Sequence, residues 1–99
     1  MNAKIYNKET YFQVFFNGNW FSLKSEKEAK EKAFELNFEY FKENKDKLPR
    51  GIRIDVADKR FRFFIRVNDN TVKYIKSSKD LQHLIDIRKY VILNLLELF

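Results

Sequence analysis

The residues best suited to chemistry lie in the segment Arg60-Phe61-Arg62-Phe63-Phe64-Ile65-Arg66-Val67. Side chains of a strand alternate between its two faces. Arg60, Arg62, Phe64 and Arg66 therefore share one face, and Phe61, Phe63, Ile65 and Val67 share the other. In the run Gly51 to Val56, Arg53 and Asp55 join the arginine face, while Ile52, Ile54 and Val56 join the apolar one. On the run after the second turn, Val72 and Tyr74 are expected inward and Lys73 outward. The expected site thus gathers Arg53, Arg60, Arg62, Arg66 and Lys73 around Phe64. Like charges at this density repel across strands. An anionic partner relieves that repulsion, and guanidinium forks match phosphate oxygens and the O6/N7 edge of guanine. The plainer alternative is a solvated sheet face on which Asp55 and Asp58 balance part of the charge.

A second expected face is aromatic and uncharged: Tyr11, Gln13, Phe15, Trp20 and Ser22. Aromatic rings stack on any nucleotide base and also anchor protein interfaces. Packing against the other half of the chain is the structural alternative.

Little points to catalysis or to a cofactor. The chain has no Cys and one His, which excludes disulfides, thiolate metal sites and a Cys nucleophile. Asp55, Asp58, Asp69, Asp80 and Asp86 do not repeat at metal-ligand spacing, and no glycine-rich phosphate loop is present. No enzyme activity, metal or cofactor is expected.

These side chains must be positioned by a small number of elements. Tyr11 to Phe16 and Trp20 to Leu23 flank Asn17-Gly18, the strongest short-range hairpin signal. Arg62 to Val67 and Thr71 to Ile75 flank Asn68-Asp69-Asn70 in the same way. Adding 51 places Phe12 on Phe63, Val14 on Ile65, Phe16 on Val67, Asn17 on Asn68 and Phe21 on Val72. Each hairpin leads into a helix signal. Ser25 with Glu28 three residues later has the form of a capping box, and Ser77 or Ser78 precedes Lys79-Asp80-Leu81. A further strand opens each half, Lys4-Ile5-Tyr6 and Gly51 to Val56. The expected fold is α+β: two strand–strand–strand–helix units, each an antiparallel three-stranded sheet packed on one helix. The first covers 1–47 and the second, arginine-rich one 48–99, with Pro49 stopping the first helix. Units of about 50 residues are marginal alone, so the two are expected to pack as one compact body.

Charge follows the same division. The 99 residues carry 20 Lys+Arg against 14 Asp+Glu, a net +6. Residues 1–47 hold nine Lys and no Arg against eight acids, +1; residues 48–99 hold five Lys and six Arg against six acids, +5. A coding bias toward A and T favours Lys but does not explain an arginine cluster, so the asymmetry points to a partner. Hydrophobic residues make up 44% of the chain, enough for a packed core. No stretch approaches the roughly 20 apolar residues of a membrane span, and no signal-peptide segment opens the sequence. A cytoplasmic or nucleoid-associated domain, without membrane contact, is expected.

The hairpin, the Asn-Gly turn and Ser25-Glu26-Lys27-Glu28-Ala29 with a second alanine at Ala33 resemble the apetala/ethylene-response-factor (integrase-type) DNA-binding domain. Gly51-Ile52-Arg53, Arg60-Phe61-Arg62 and Ile65-Arg66-Val67-Asn68 resemble it more closely, so that the chain reads as two copies. The resemblance implies a sheet lying in the DNA major groove with the helix behind it. It would place contacts on Arg53, Arg60, Arg62, Arg66 and Lys73 in the second copy. In the first they would fall on Tyr11, Gln13 and Trp20, where the expected arginines are missing.

The last helix signal, from Leu81 to Phe99, has an apolar stripe wider than one sheet requires, with Leu95, Leu96, Leu98 and Phe99 at its end. It is expected either to lie between the two units or to meet another protein or a second copy of itself, as a homodimer. Three functions follow. The first is a binder of nucleic acid, with duplex DNA gripped by the basic sheet face. The second is a small phage-encoded inhibitor of the anti-CRISPR type that blocks a host RNA-guided nuclease complex. The third is a structural module that dimerises through the terminal helix.

Overall fold

A computed structural model describes residues 2–97, with side chains described from Asn2 to Leu93. In chain order the elements are β1 (Lys4–Asn7), β2 (Phe12–Phe16), β3 (Asn19–Leu23), α1 (Glu26–Glu43), a 3-10 turn (Lys45–Lys47), β4 (Ile52–Asp55), β5 (Arg60–Asn68), β6 (Thr71–Ser78) and α2 (Leu81–Glu97). The fold is α+β: two antiparallel three-stranded sheets, ordered β1-β2-β3 and β4-β5-β6, and two helices. The chain divides after Lys47 into two compact units. No described helix is long and apolar enough to cross a membrane.

In the first unit Asn17 and Gly18 both take positive φ, 50° and 80°, as a two-residue hairpin loop between Phe16 and Asn19 requires. Ser25 caps α1, its hydroxyl accepting the Glu28 N–H at 3.2 Å, while the Glu28 carboxylate reaches the Lys24 N–H at 3.2 Å. Ala29 and Ala33 are buried beneath α1 against Val14 and Phe16, with Phe12, Phe21, Leu23, Leu36 and Tyr40 around them. Two alanines one helical turn apart let the helix approach the sheet closely. Asn37, buried in the same helix, accepts the Ala3 N–H at 2.8 Å and donates to Asn2 at 2.9 Å, tying the entry of β1 to the core. Helix α1 ends at Glu43, before Pro49: the Asn44 side chain donates to the Tyr40 carbonyl at 2.8 Å.

In the second unit Ile52, Phe61, Phe63, Leu81 and Leu84 are buried, and α2 contacts β5 and β6. The cap of α2 differs from the expected Ser77 or Ser78. Strand pairing holds both serines in β6, opposite Arg62 and Phe61, and the Asp80 carboxylate accepts the His83 N–H at 3.2 Å instead.

The register of β6 corrects the expected faces. Phe61 pairs with Ser78, Arg62 with Ser77 and Phe63 with Lys76, but Phe64 pairs with Tyr74, leaving Ile75 as an inserted residue. One extra residue reverses the alternation beyond it. Tyr74 therefore joins Phe64 and Arg62 on the arginine face, and Lys73, opposite Ile65, leaves it. A second irregularity at Val67 puts the loop on Asp69-Asn70, one residue later than the copy in the first unit suggests, and leaves Val67 58% exposed rather than buried. Of the terminal helix's apolar residues, Leu81 and Leu84 are buried and Tyr90, Ile92 and Leu93 are exposed. Leu98 and Phe99 and the side chains of Leu95 and Leu96 lie outside the described residues.

Candidate nucleic-acid interface

Strand β4 accompanies β5 only as far as the Ile52–Phe63 pair, after which the Phe64 N–H donates to the Gly51 carbonyl at 2.8 Å. Gly51 is required at that point. Its φ is +93°, and a Cβ there would stand 2.6 Å from the Phe64 carbonyl oxygen and 3.3 Å from the Phe63 ring. Beyond this crossing β5 and β6 continue as a two-stranded ribbon, and a groove of about 280 Å³ opens alongside it. Four arginines line that groove: Arg50 before β4, Arg53 on β4, Arg66 on β5 and Arg88 on α2. Phe64, Ile65, Val72, Val91 and Ile92 contribute its apolar wall. Among the described residues no acidic side chain lines it.

The six arginines fall into distinct environments. Arg62 is clamped, its Nε donating to Asp55 at 2.7 Å and a terminal nitrogen to Asp58 at 2.6 Å. The Asp58 amide, which Asp55 also accepts at 3.0 Å, and then the Arg62 guanidinium hold the Asp55 carboxyl below its ordinary value. Asp55 in turn raises the Arg62 guanidinium's proton affinity. Arg60 donates to the Ser77 hydroxyl at 3.2 Å. The other four form no carboxylate pair among the described residues. Arg88 Nε donates to the Arg50 carbonyl at 2.8 Å, Arg66 donates weakly to the Asp69 carbonyl at 3.4 Å, and Arg53 lies over the Phe64 ring at 5.1 Å. The Phe64 ring meets Tyr74 edge-on at 5.7 Å, and Arg62 lies 5.9 Å from the Tyr74 centroid.

The expected residues are thus redistributed. Arg53, Arg62 and Phe64 do share a face, Arg60 stands beside them at the Asp55 pair, and Arg66 stands over the groove opposite Val72. Lys73 is separated from them by the inserted residue. Arg50 and Arg88 were not among the expected site residues. Neither lies on a strand, so alternation carries no signal for them. Only the arginine count of residues 48–99 points their way.

In the first unit Phe15 pairs with Trp20, and Gln13 with Ser22 and Tyr6. The Trp20 ring stands 4.7 Å from Phe15 and 5.4 Å from Tyr6, and Trp20 is 54% exposed. Tyr6 is the member that sequence reasoning missed. Tyr11 sits in the turn before β2, exposed, and no ring contact joins it to this cluster among the described residues.

No group of His, Cys, Asp or Glu among the described residues is arranged to hold a metal ion. Comparison with protein families, curated proteins and solved structures finds no match to this chain.

Proposed function

We propose that the protein binds nucleic acid, duplex DNA first, through the basic groove and adjoining sheet face of its second unit. One observation carries this reading: four guanidiniums with no carboxylate partner among the described residues surround one groove. Holding four like charges there is unfavourable until an anion offsets it, and phosphates meet guanidinium forks in bidentate geometry. Arg50, Arg53, Arg66 and Arg88 are the phosphate contacts in this reading. Arg62 braces the β4–β5 turn, with Arg60 beside it, and Phe64 and Tyr74 form the surface between. The proposal extends to the chain as two copies of one strand–strand–strand–helix unit of the apetala/ethylene-response-factor type. The succession β1-β2-β3-α1 and β4-β5-β6-α2 supports it.

Fluorescence anisotropy with a labelled 20-base-pair duplex tests the reading. Arg66→Ala and Arg88→Ala are each expected to weaken binding about tenfold, the lower range for a charge-assisted hydrogen bond. Arg60→Ala should change it little. Equal binding by parent and Arg66→Ala/Arg88→Ala protein would sink the proposal.

The exposed cluster of Tyr6, Phe15 and Trp20 favours a second reading, in which the protein docks on a nucleoprotein such as an RNA-guided nuclease and inhibits it. Tyr and Trp dominate protein-interface anchors. Co-purification from a nuclease-digested lysate that retains a protein partner, and loses it with Trp20→Ala, supports this reading. Loss of every partner on digestion counts against it.

A further inference from the structure

The groove differs from a plain phosphate site in its wall. A phosphate needs only donors, yet here Phe64, Val72, Val91 and Ile92 stand beside the guanidiniums. A ligand matched to both halves carries an anion and a flat apolar body within one small volume. About 280 Å³ falls just under the roughly 300 Å³ at which small-ligand sites begin, the scale of one nucleotide rather than of a base pair. Two of the arginines are already oriented, Arg88 by the Arg50 carbonyl at 2.8 Å and Arg53 by the Phe64 ring at 5.1 Å. Those two side chains have less freedom to lose on binding.

We propose that this groove holds a single unpaired nucleotide, its phosphate among Arg50, Arg66 and Arg88 and its base against the apolar wall. The inference rests on the nucleic-acid reading above and sharpens it: the preferred target is DNA with one unpaired position. Turning a base out of a duplex costs unstacking and unpairing energy, and least where it is already unpaired.

The test compares a blunt 20-base-pair duplex with the same duplex carrying one bulged adenosine, by anisotropy competition. The bulged duplex is expected to bind at least about tenfold more tightly, in line with the saved unpairing energy. Deoxyadenosine 5′-monophosphate should displace it at lower concentration than inorganic phosphate. Val72→Trp and Ile92→Trp fill the groove from two exposed positions without changing charge. Each, checked for folding by circular dichroism, should bring the bulged duplex down to the affinity that the same variant has for the blunt one. Equal binding of the two duplexes overturns the inference and leaves the duplex reading standing. A bulge advantage that survives both tryptophans overturns it, as does phosphate competing as well as the nucleotide. Binding of neither duplex overturns the duplex reading and the inference together.

Discussion

Releasing Arg62 from its two aspartates should strengthen DNA binding. Asp55 and Asp58 both contact its guanidinium, at 2.7 and 2.6 Å, on the face that also carries Arg53 and Phe64. The double change Asp55→Asn and Asp58→Asn keeps an oxygen at position 55 for the Asp58 N–H, so the turn can retain its shape. It removes two negative charges and frees a fifth guanidinium. If that group takes up one more phosphate, the salt slope steepens by about 0.9. The advantage over the parent would then shrink about 3.5-fold between 50 and 200 mM salt, the same slope applied to a fourfold change in concentration. At the low end, affinity should rise about tenfold, as for one added charge-assisted hydrogen bond. Anisotropy titrations across that salt range read both quantities, at a temperature well below either protein's unfolding. Weaker binding by the variant would refute the reasoning. It would show that clamped Arg62 is itself the contact and that the aspartates orient it.

Three further outcomes concern stability. Gly51→Ala should cost about 1–3 kcal/mol for the backbone conformation alone, more with the 2.6 Å approach to the Phe64 carbonyl, whereas Gly18→Ala meets no atom within 4 Å and should cost less; denaturant unfolding compares them. Asn37→Ala leaves the buried Ala3 N–H without its 2.8 Å acceptor and should cost about 1–3 kcal/mol; if stability is unchanged, that bond does not anchor β1. The lowered value of Asp55 means that the unfolded chain takes up a proton first as pH falls. The clamp's contribution is therefore whole above the ordinary aspartate range and is lost as pH drops through the folded value. Thermal midpoints should fall more steeply below about pH 4 in the parent than in Asp55→Asn, and parallel curves would contradict this.

Where local chemistry decides structure, the sequence was legible. Asn17-Gly18 can close a two-residue loop, and Ser25 with Glu28 can cap a helix, without help from distant residues. Alternation placed Arg53 beside Arg62, because β4 and β5 pair without interruption. It failed on β6, because Ile75 enters as an extra residue and no local signal marks it. Tyr74 and Lys73 exchanged faces for that reason. The groove was hidden more deeply: Arg50 and Arg88 stand 38 positions apart and meet only through tertiary folding. The clamp on Arg62 was partly readable, since Asp55 and Asp58 were visible as counter-charges, but the convergence of both on one guanidinium depends on the turn between β4 and β5.

The number of phosphates engaged is the most direct test of the central claim that the four arginines lining the groove hold nucleic acid. It is read from the dependence of log K on log salt for the 20-base-pair duplex. Four contacts at about 0.9 each predict a slope near −3.6 for the parent, and about −1.8 for Arg53→Ala/Arg66→Ala. A parent slope near zero would contradict the claim, and so would a slope that Arg60→Ala/Arg62→Ala reduces and the groove substitutions leave unchanged.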